Sequence, residues 1–254
     1  MSTCDYMKKV VTDKYIPQEI AWTHEKASRF WDYFSTNISC QSNYFSKQVG
    51  SDLIKLVMRV IPLKGITLDF GCGPGYLIEY LLKNGITVQG LDFSAEAFKS
   101  ISAKYSMYPL FKGAILAKGI PTPLDDESVH NIFFVETLEH LFPEEIDETI
   151  SELYRVVKSD GYIIITTRND EDLDSNKVIC PECGCIFHRV QHMTSWKPSD
   201  IISLMERRGF QTIMCKAIIL RSSSKLNFIR KIKSRIKRYK GPNLIYIGRK
   251  IIVE

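Results

Sequence analysis

Two hydrophobic periods take turns along the middle of the chain. Short apolar runs end at Leu68-Asp69-Phe70 and cover 86–91, 109–115, 131–135 and 162–167, and they read as buried strands. Between them apolar residues recur at helical spacing. Tyr76, Leu77, Ile78, Tyr80 and Leu81 open a helix that ends near Asn84-Gly85, another begins at Ala95, and a third covers 143–157. A helix over 52–60 precedes the first run and stops before Ile61-Pro62. Late in the chain a helix from Lys197-Pro198 to Arg208, a strand from Gly209-Phe210 to about 220 and a strand over 244–253 complete the pattern. This alternation predicts an α/β fold, a doubly wound Rossmann-like sheet of seven strands with helices on both faces. Residues 1–50 show no clear strand, and rings such as Trp22, Phe30, Trp31, Phe34 and Tyr44 predict a helical cap broken by the Ser/Asn-rich stretch 35–43.

The first strand runs into Gly71-Cys72-Gly73-Pro74-Gly75. Glycines let backbone approach a ligand closely, and the helix that follows offers unpaired N–H groups to something polar. A dinucleotide fingerprint needs a third glycine at position 76, where Tyr76 stands. The second strand ends in Asp92-Phe93-Ser94. An acid there can accept two hydrogen bonds from a ribose diol; the structural alternative is that Asp92 or Ser94 caps the next helix.

Asp69 with this Gly-x-Gly-x-Gly loop resembles the first motif of the class I S-adenosylmethionine-dependent methyltransferases, small-molecule branch. Ile120-Pro121-Thr122-Pro123-Leu124 leading to His130, and Leu153-Tyr154-Arg155-Val156-Val157-Lys158 leading to Gly161-Tyr162, resemble later motifs of that family. The likeness covers roughly residues 50–170, with Thr122 where an aromatic is usual and His130 where Asp is usual. It implies an S-adenosylmethionine site at Asp69, Gly71, Cys72, Gly73, Gly75, Asp92, Phe93 and Val135.

Composition narrows the setting. With 254 residues, 44% hydrophobic and 25% charged, the chain suits one decorated α/β domain. The expected division is a helical cap over 1–50 and a methyltransferase domain over 51–254, with a zinc-knuckle insertion at 177–195 and a basic helical insertion at 222–242. The polar start from Met1 to Val10 and the lack of a long apolar run predict a cytoplasmic protein. Seven cysteines in a reducing compartment argue against a disulfide framework.

Three clusters carry further chemistry. Cys180, Cys183, His188 and His192 fit Cys-x2-Cys-x4-His-x3-His, a tetrahedral structural zinc pattern, with Cys185 as an alternative third thiolate in place of His192. A subset of small-molecule methyltransferases has a similar insertion. Glu136-x-x-Glu139-His140 leaves the fourth strand, where a methyl acceptor is expected. It resembles the Glu-x-x-Glu-His of ubiquinone-pathway O-methyltransferases, whose side chains hold a divalent metal. The other reading makes His140 or Glu136 the general base that takes the acceptor's proton. Over 225–240, eight Lys and Arg residues without an acid share a helical period with Leu226, Ile229, Ile232 and Ile236. That helix packs on the sheet, meets an anionic membrane surface or an acidic substrate, or binds nucleic acid.

The resemblance implies methyl transfer from S-adenosylmethionine to a small or carrier-linked molecule, at oxygen. The alternatives are an RNA methyltransferase that binds through the zinc module and basic helix, and a cofactor-binding protein without catalysis. No Asn/Asp-Pro-Pro motif follows the fourth strand and no cysteine nucleophile stands there, which weighs against methylation of a nucleic-acid base.

Overall fold

The computed structural model describes residues 16–220 and 241–251, and the expected basic helix over 225–240 lies outside them. Seven strands form one sheet: β2 (Ile66–Phe70), β3 (Thr87–Asp92), β4 (Phe111–Leu116), β5 (Val129–Val135), β6 (Val157–Arg168), β9 (Phe210–Ile218) and β10 (Asn243–Lys250). Their spatial order is β4-β3-β2-β5-β6-β10-β9, and β10 runs antiparallel to both neighbours. Strand order reverses beside β2, so the carboxyl ends of β2, β3 and β5 open on the crevice where doubly wound sheets bind ligands. This is the doubly wound sheet that the periodicity predicts.

Strict alternation sends neighbouring side chains to opposite faces. Phe134, Ile163 and Ile165 face one core, together with Ile150 and Leu153 of α6 (Ile146–Val156) and Ile201 and Met205 of α7 (Pro198–Glu206). Phe133, Val135 and Ile164 face the other core. There they meet Leu53, Ile54 and Val57 of α3 (Phe45–Met58), Leu77, Ile78 and Leu81 of α4 (Tyr76–Lys83) and Ile101 of α5 (Ala95–Tyr105). Ile163, Ile164 and Ile165 are all fully buried. At about 2–5 kcal/mol per Ile→Ala change, these positions keep the sheet rigid beneath the site.

Several boundaries differ from the sequence expectation. α3 begins at Phe45 rather than near 52 and so crosses the expected cap boundary at residue 50. β6 begins at Val157, because the Lys158–Gly161 turn is absorbed as a register shift in the strand. The first fifty residues also hold a two-residue strand, β1 (Gln18–Glu19), besides α1 (His24–Thr36) and α2 (Ile38–Gln41). β1 pairs in parallel with β8 (Cys185–His188), whose antiparallel partner is β7 (Lys177–Ile179). This small sheet is a hairpin insert clasped by the N-terminal segment. Asn243 pairs with Arg168 and with Ile218, so the described flanks of 221–240 leave the fold at the carboxyl end of β6.

Candidate active site

The glycine loop takes the shape its sequence calls for. Gly71, Gly73 and Gly75 have φ of 78°, 49° and 78°, in the left-handed region that glycine tolerates best. A Cβ at Gly71 would stand 2.7 Å from Thr137 Oγ1, and one at Gly75 would stand 2.7 Å from Ile101 Cγ2. The loop is tied to the end of β3. Gly71 and Cys72 N–H donate to the Leu91 carbonyl at 2.8 and 3.0 Å, and Gly73 N–H donates to Asp92 Oδ2 at 2.7 Å.

Asp92 also accepts Ser94 N–H at 2.8 Å, while Ser94 Oγ accepts Ala97 N–H and caps α5. The cap is therefore Ser94, and Asp92 belongs to the cradle. Burial raises Asp92 against the pull of three backbone N–H groups, those of Ser94, Gly73 and Phe93. Asp69 is 2% exposed and its Oδ2 has no hydrogen-bond partner among the described residues. Burial, and then the charge of Asp92, push its carboxyl up to about 8. Around these acids, Cys72 is buried, Val135 closes β5, and Phe93 leans on Phe70 with its ring centroid at 6.0 Å. Loop, acids and flanking side chains form a polar cradle, and its buried acids are suited to hydroxyl donors.

The N-terminal helix lies over this cradle. Ser94 Oγ donates to Asp32 Oδ1 of α1 at 2.9 Å, and the Tyr44 ring stands 3.4 Å from where a Gly73 Cβ would be. Between the end of α1 and the start of α5 a cleft of about 340 Å³ remains, lined by Ser35, Thr36, Pro74, Glu96, Ala97, Lys99 and Ser100.

The two departures from the family pattern are structural. His130 Nδ1 accepts Ile66 N–H at 3.1 Å, at the start of β2 and far from the glycine loop. Thr122 is buried and donates its N–H and Oγ to Glu152 at 2.8 and 2.5 Å.

At the carboxyl end of β5 the chain turns sharply. Glu136 has φ of 48°, a left-handed conformation that costs a non-glycine residue on the order of 1 kcal/mol. The turn sets the half-buried Glu136 beside the buried Glu139. Oε1 of Glu136 and both carboxylate oxygens of Glu139 lack partners among the described residues, and Glu139 is 1% exposed. Burial raises Glu136 to about 7; burial, and then the Glu136 charge, raise Glu139 well above the usual carboxylate range. His140 is forced down to about 3 by burial and by His192, so it is neutral at physiological pH.

Residues not singled out as site residues from the sequence complete this end. Trp31 sets its ring edge-on to His140 at 4.6 Å and donates its indole N–H to Gln191 Oε1 at 2.8 Å. Gln191, buried at φ 57°, donates its amide to the His140 carbonyl at 3.1 Å. Glu171 hydrogen-bonds to His192 Nδ1 and lies 3.6 Å from His188 Nε2. Burial opposes its charge, yet the contacts from His188 and His192 outweigh that and hold it down to about 2.

The expected zinc set is not brought together. The Cys180 turn closes as its sequence suggests, with Cys180 N–H on the Cys185 carbonyl at 2.8 Å and Gly184 N–H on the Cys180 carbonyl at 2.9 Å. Hairpin register then separates the ligands: Ile179 pairs with Ile186 near the turn, and Lys177 with His188 at the open end. Three residues of strand put His188 roughly 10 Å beyond Cys185. Among the described residues, no group of three candidate ligand atoms within 4.8 Å of one another includes a cysteine. The groups that do form are Glu139, His140 and His192, and Glu171, His188 and His192.

A reversed strand beside a doubly wound sheet, a glycine loop after β2 and an acid at the end of β3 define a class I S-adenosylmethionine-dependent methyltransferase fold. Residues 68–165 match the family described as a methyltransferase domain. Residues 68–165 thus carry a methyltransferase domain, and the sheet around them has the fold of S-adenosylmethionine-dependent methyltransferases. It is 28% identical over 163 residues to a ubiquinone biosynthesis O-methyltransferase of Vibrio parahaemolyticus, covering 60% of this chain and 63% of that protein. It is 26% identical over 127 residues to a malonyl-[acyl-carrier protein] O-methyltransferase of Hamiltonella defensa, covering 50% of this chain and 46% of that protein. These matches span about half to three-fifths of the relatives' own length. Among solved structures, an S-adenosylmethionine-dependent methyltransferase from Archaeoglobus fulgidus superposes with a TM-score of 0.57 at 20% identity, over 79% of this chain and 92% of that one. The 1,6-didemethyltoxoflavin-N1-methyltransferase of Burkholderia thailandensis, with S-adenosylhomocysteine bound, superposes with a TM-score of 0.61 at 12% identity, over 93% of this chain and 94% of that one.

Proposed function

We propose that the protein transfers the methyl group of S-adenosylmethionine to an oxygen of a small or carrier-linked acceptor. The observation that carries this reading is the glycine loop fastened to Asp92 beside the buried, half-unpartnered Asp69. In this reading Asp92 holds the ribose hydroxyls, Gly71, Gly73 and Gly75 let the backbone close on the cofactor, and Asp69 completes the cradle with Cys72, Phe93 and Val135. S-adenosylmethionine supplies an electrophilic methyl on a sulfonium, which departs as the neutral thioether.

The acceptor's side of the reaction falls to the end of β5. As the acceptor oxygen forms its bond to the methyl carbon, it loses a proton. Glu136, raised by burial to about 7, suits the role of base, since it is strong enough to take the proton and partly ionised near neutral pH. His140, held down to about 3, is the weaker base and fits a role in orienting the acceptor. O-methyltransferases among the relatives support oxygen as the target.

A radiolabelled methyl-donor assay against catechols, phenols and acyl-carrier-linked carboxylates tests the reading. Glu136→Gln should lower kcat by about 10²–10⁴ and leave S-adenosylhomocysteine affinity unchanged. Full activity of that variant across the pH range would remove Glu136 as the base, and labelling confined to amines would remove oxygen as the target.

A further inference from the structure

His192 joins two groups of candidate ligands, and tautomers decide between them. His188 Nδ1 accepts backbone N–H from His192 at 3.0 Å and from Val190 at 3.4 Å. Its proton therefore sits on Nε2, pointing toward Glu171 at 3.6 Å, and no lone pair is left there for an ion. His192 is the reverse case. Its Nδ1 faces the Glu171 carboxylate, which can only accept, so Nδ1 carries the proton and Nε2 a free lone pair. His140 follows the same logic, with Nδ1 on the Gln191 carbonyl at 3.3 Å.

Two imidazoles thus each give Nδ1–H to an oxygen and keep Nε2 free, the orientation that metal-ligating histidines adopt. The third member is Glu139, 1% exposed, with neither carboxylate oxygen partnered among the described residues. One ligand atom from each of Glu139, His140 and His192 lies within 4.8 Å of the others. An ion with bonds near 2.1 Å holds tetrahedral donors about 3.4 Å apart, inside the 4.8 Å that bounds this group.

We propose that Glu139, His140 and His192 form a divalent-cation site, held in shape by Glu171 and His188. Two imidazoles to one carboxylate select a first-row transition ion of the zinc type over magnesium or calcium. Glu171 fixes the His192 ring, and His188, with its side chain 3% exposed and its ring stacked on His192 at 4.5 Å, braces Glu171. The set differs from the one that the Glu-x-x-Glu-His resemblance implies. Glu136 belongs to neither group, and the third ligand comes from the residues that follow the hairpin insert. The insert then serves the acceptor end of the sheet through His192, not through its cysteines. The inference concerns ion binding alone and stands whether or not the methyl-transfer reading does.

Titration calorimetry with Zn2+ and Mg2+ on metal-stripped full-length protein tests the site, with Co2+ spectra as a second readout. The wild type should bind one His192-dependent equivalent of Zn2+ far more tightly than Mg2+. His192→Ala and Glu139→Gln should weaken that equivalent at least 100-fold, and Glu171→Gln by about 10–100-fold. Glu136→Gln, and a Cys180→Ser/Cys183→Ser double variant, should keep it within about threefold. Unchanged S-adenosylhomocysteine affinity and thermal melting certify that each variant is folded; should His192→Ala fail that check, His192→Gln replaces it. The absence of a His192-dependent equivalent would overturn the proposal. So would its loss in the cysteine variant, or a thiolate-to-cobalt charge-transfer band on that equivalent.

Discussion

Asp69 shows how one buried carboxylate sets a pH dependence. Its folded-state value near 8 lies above the usual value of 3.8, so the folded chain keeps a proton that the unfolded chain gives up. The stability this contributes is fully present below about pH 4 and is lost as pH rises toward about 8. Asp69→Asn removes the titration. Its melting temperature relative to wild type should therefore climb steadily between about pH 5 and pH 8, and a difference independent of pH would contradict the assignment. Comparing variant with wild type cancels the opposite trend from His140, whose lowered value makes the folded state gain stability as pH rises through the acidic range. At this scale the cradle was readable. Asp92 and the glycines sit where strand, loop and helix must meet, and Ser94, not Asp92, caps α5. Glu171 was not readable, because nothing in its local sequence marks it, and only the fold brings it to His192.

Among the elements, α1 and the β7–β8 hairpin explain what the sequence hid. The cysteine and histidine spacing fits a compact knuckle if the loop folds on itself. Cross-strand pairing wins instead and stretches Cys185–His188 into a strand. The aromatic N-terminus announced helices, and α1 and α2 form there. Through Asp32 on Ser94 and Trp31 on Gln191 and His140, α1 bridges the end of β3 and the end of β5. No residue of α1 is fully buried, which places the helix toward the less protected end of the fold. Adding S-adenosylhomocysteine should therefore slow amide hydrogen exchange over residues 24–36 more than over the buried strand β5. Equal exchange in α1 with and without the ligand would show that the helix does not close on the cradle.

For the whole molecule, the sheet order, the glycine loop and the acid of the next strand converge on one crevice at the carboxyl ends of the central strands. Periodicity was enough to read that architecture, since each strand announces itself by an apolar run and each helix by its stripe. The cluster at the end of β5 depends on contacts distant in sequence, such as Trp31 with Gln191, and no local pattern encodes them. In the proposed function this crevice holds S-adenosylmethionine through Asp92. Titration calorimetry of S-adenosylhomocysteine into the wild type and Asp92→Ala measures it most directly, with Asp92→Asn as a second variant if the first melts early. The account predicts one bound ligand per chain and, from the loss of charge-assisted hydrogen bonds, a weakening of about tenfold or more in the variant. No binding to the wild type, or equal affinity in a folded Asp92 variant, would contradict it.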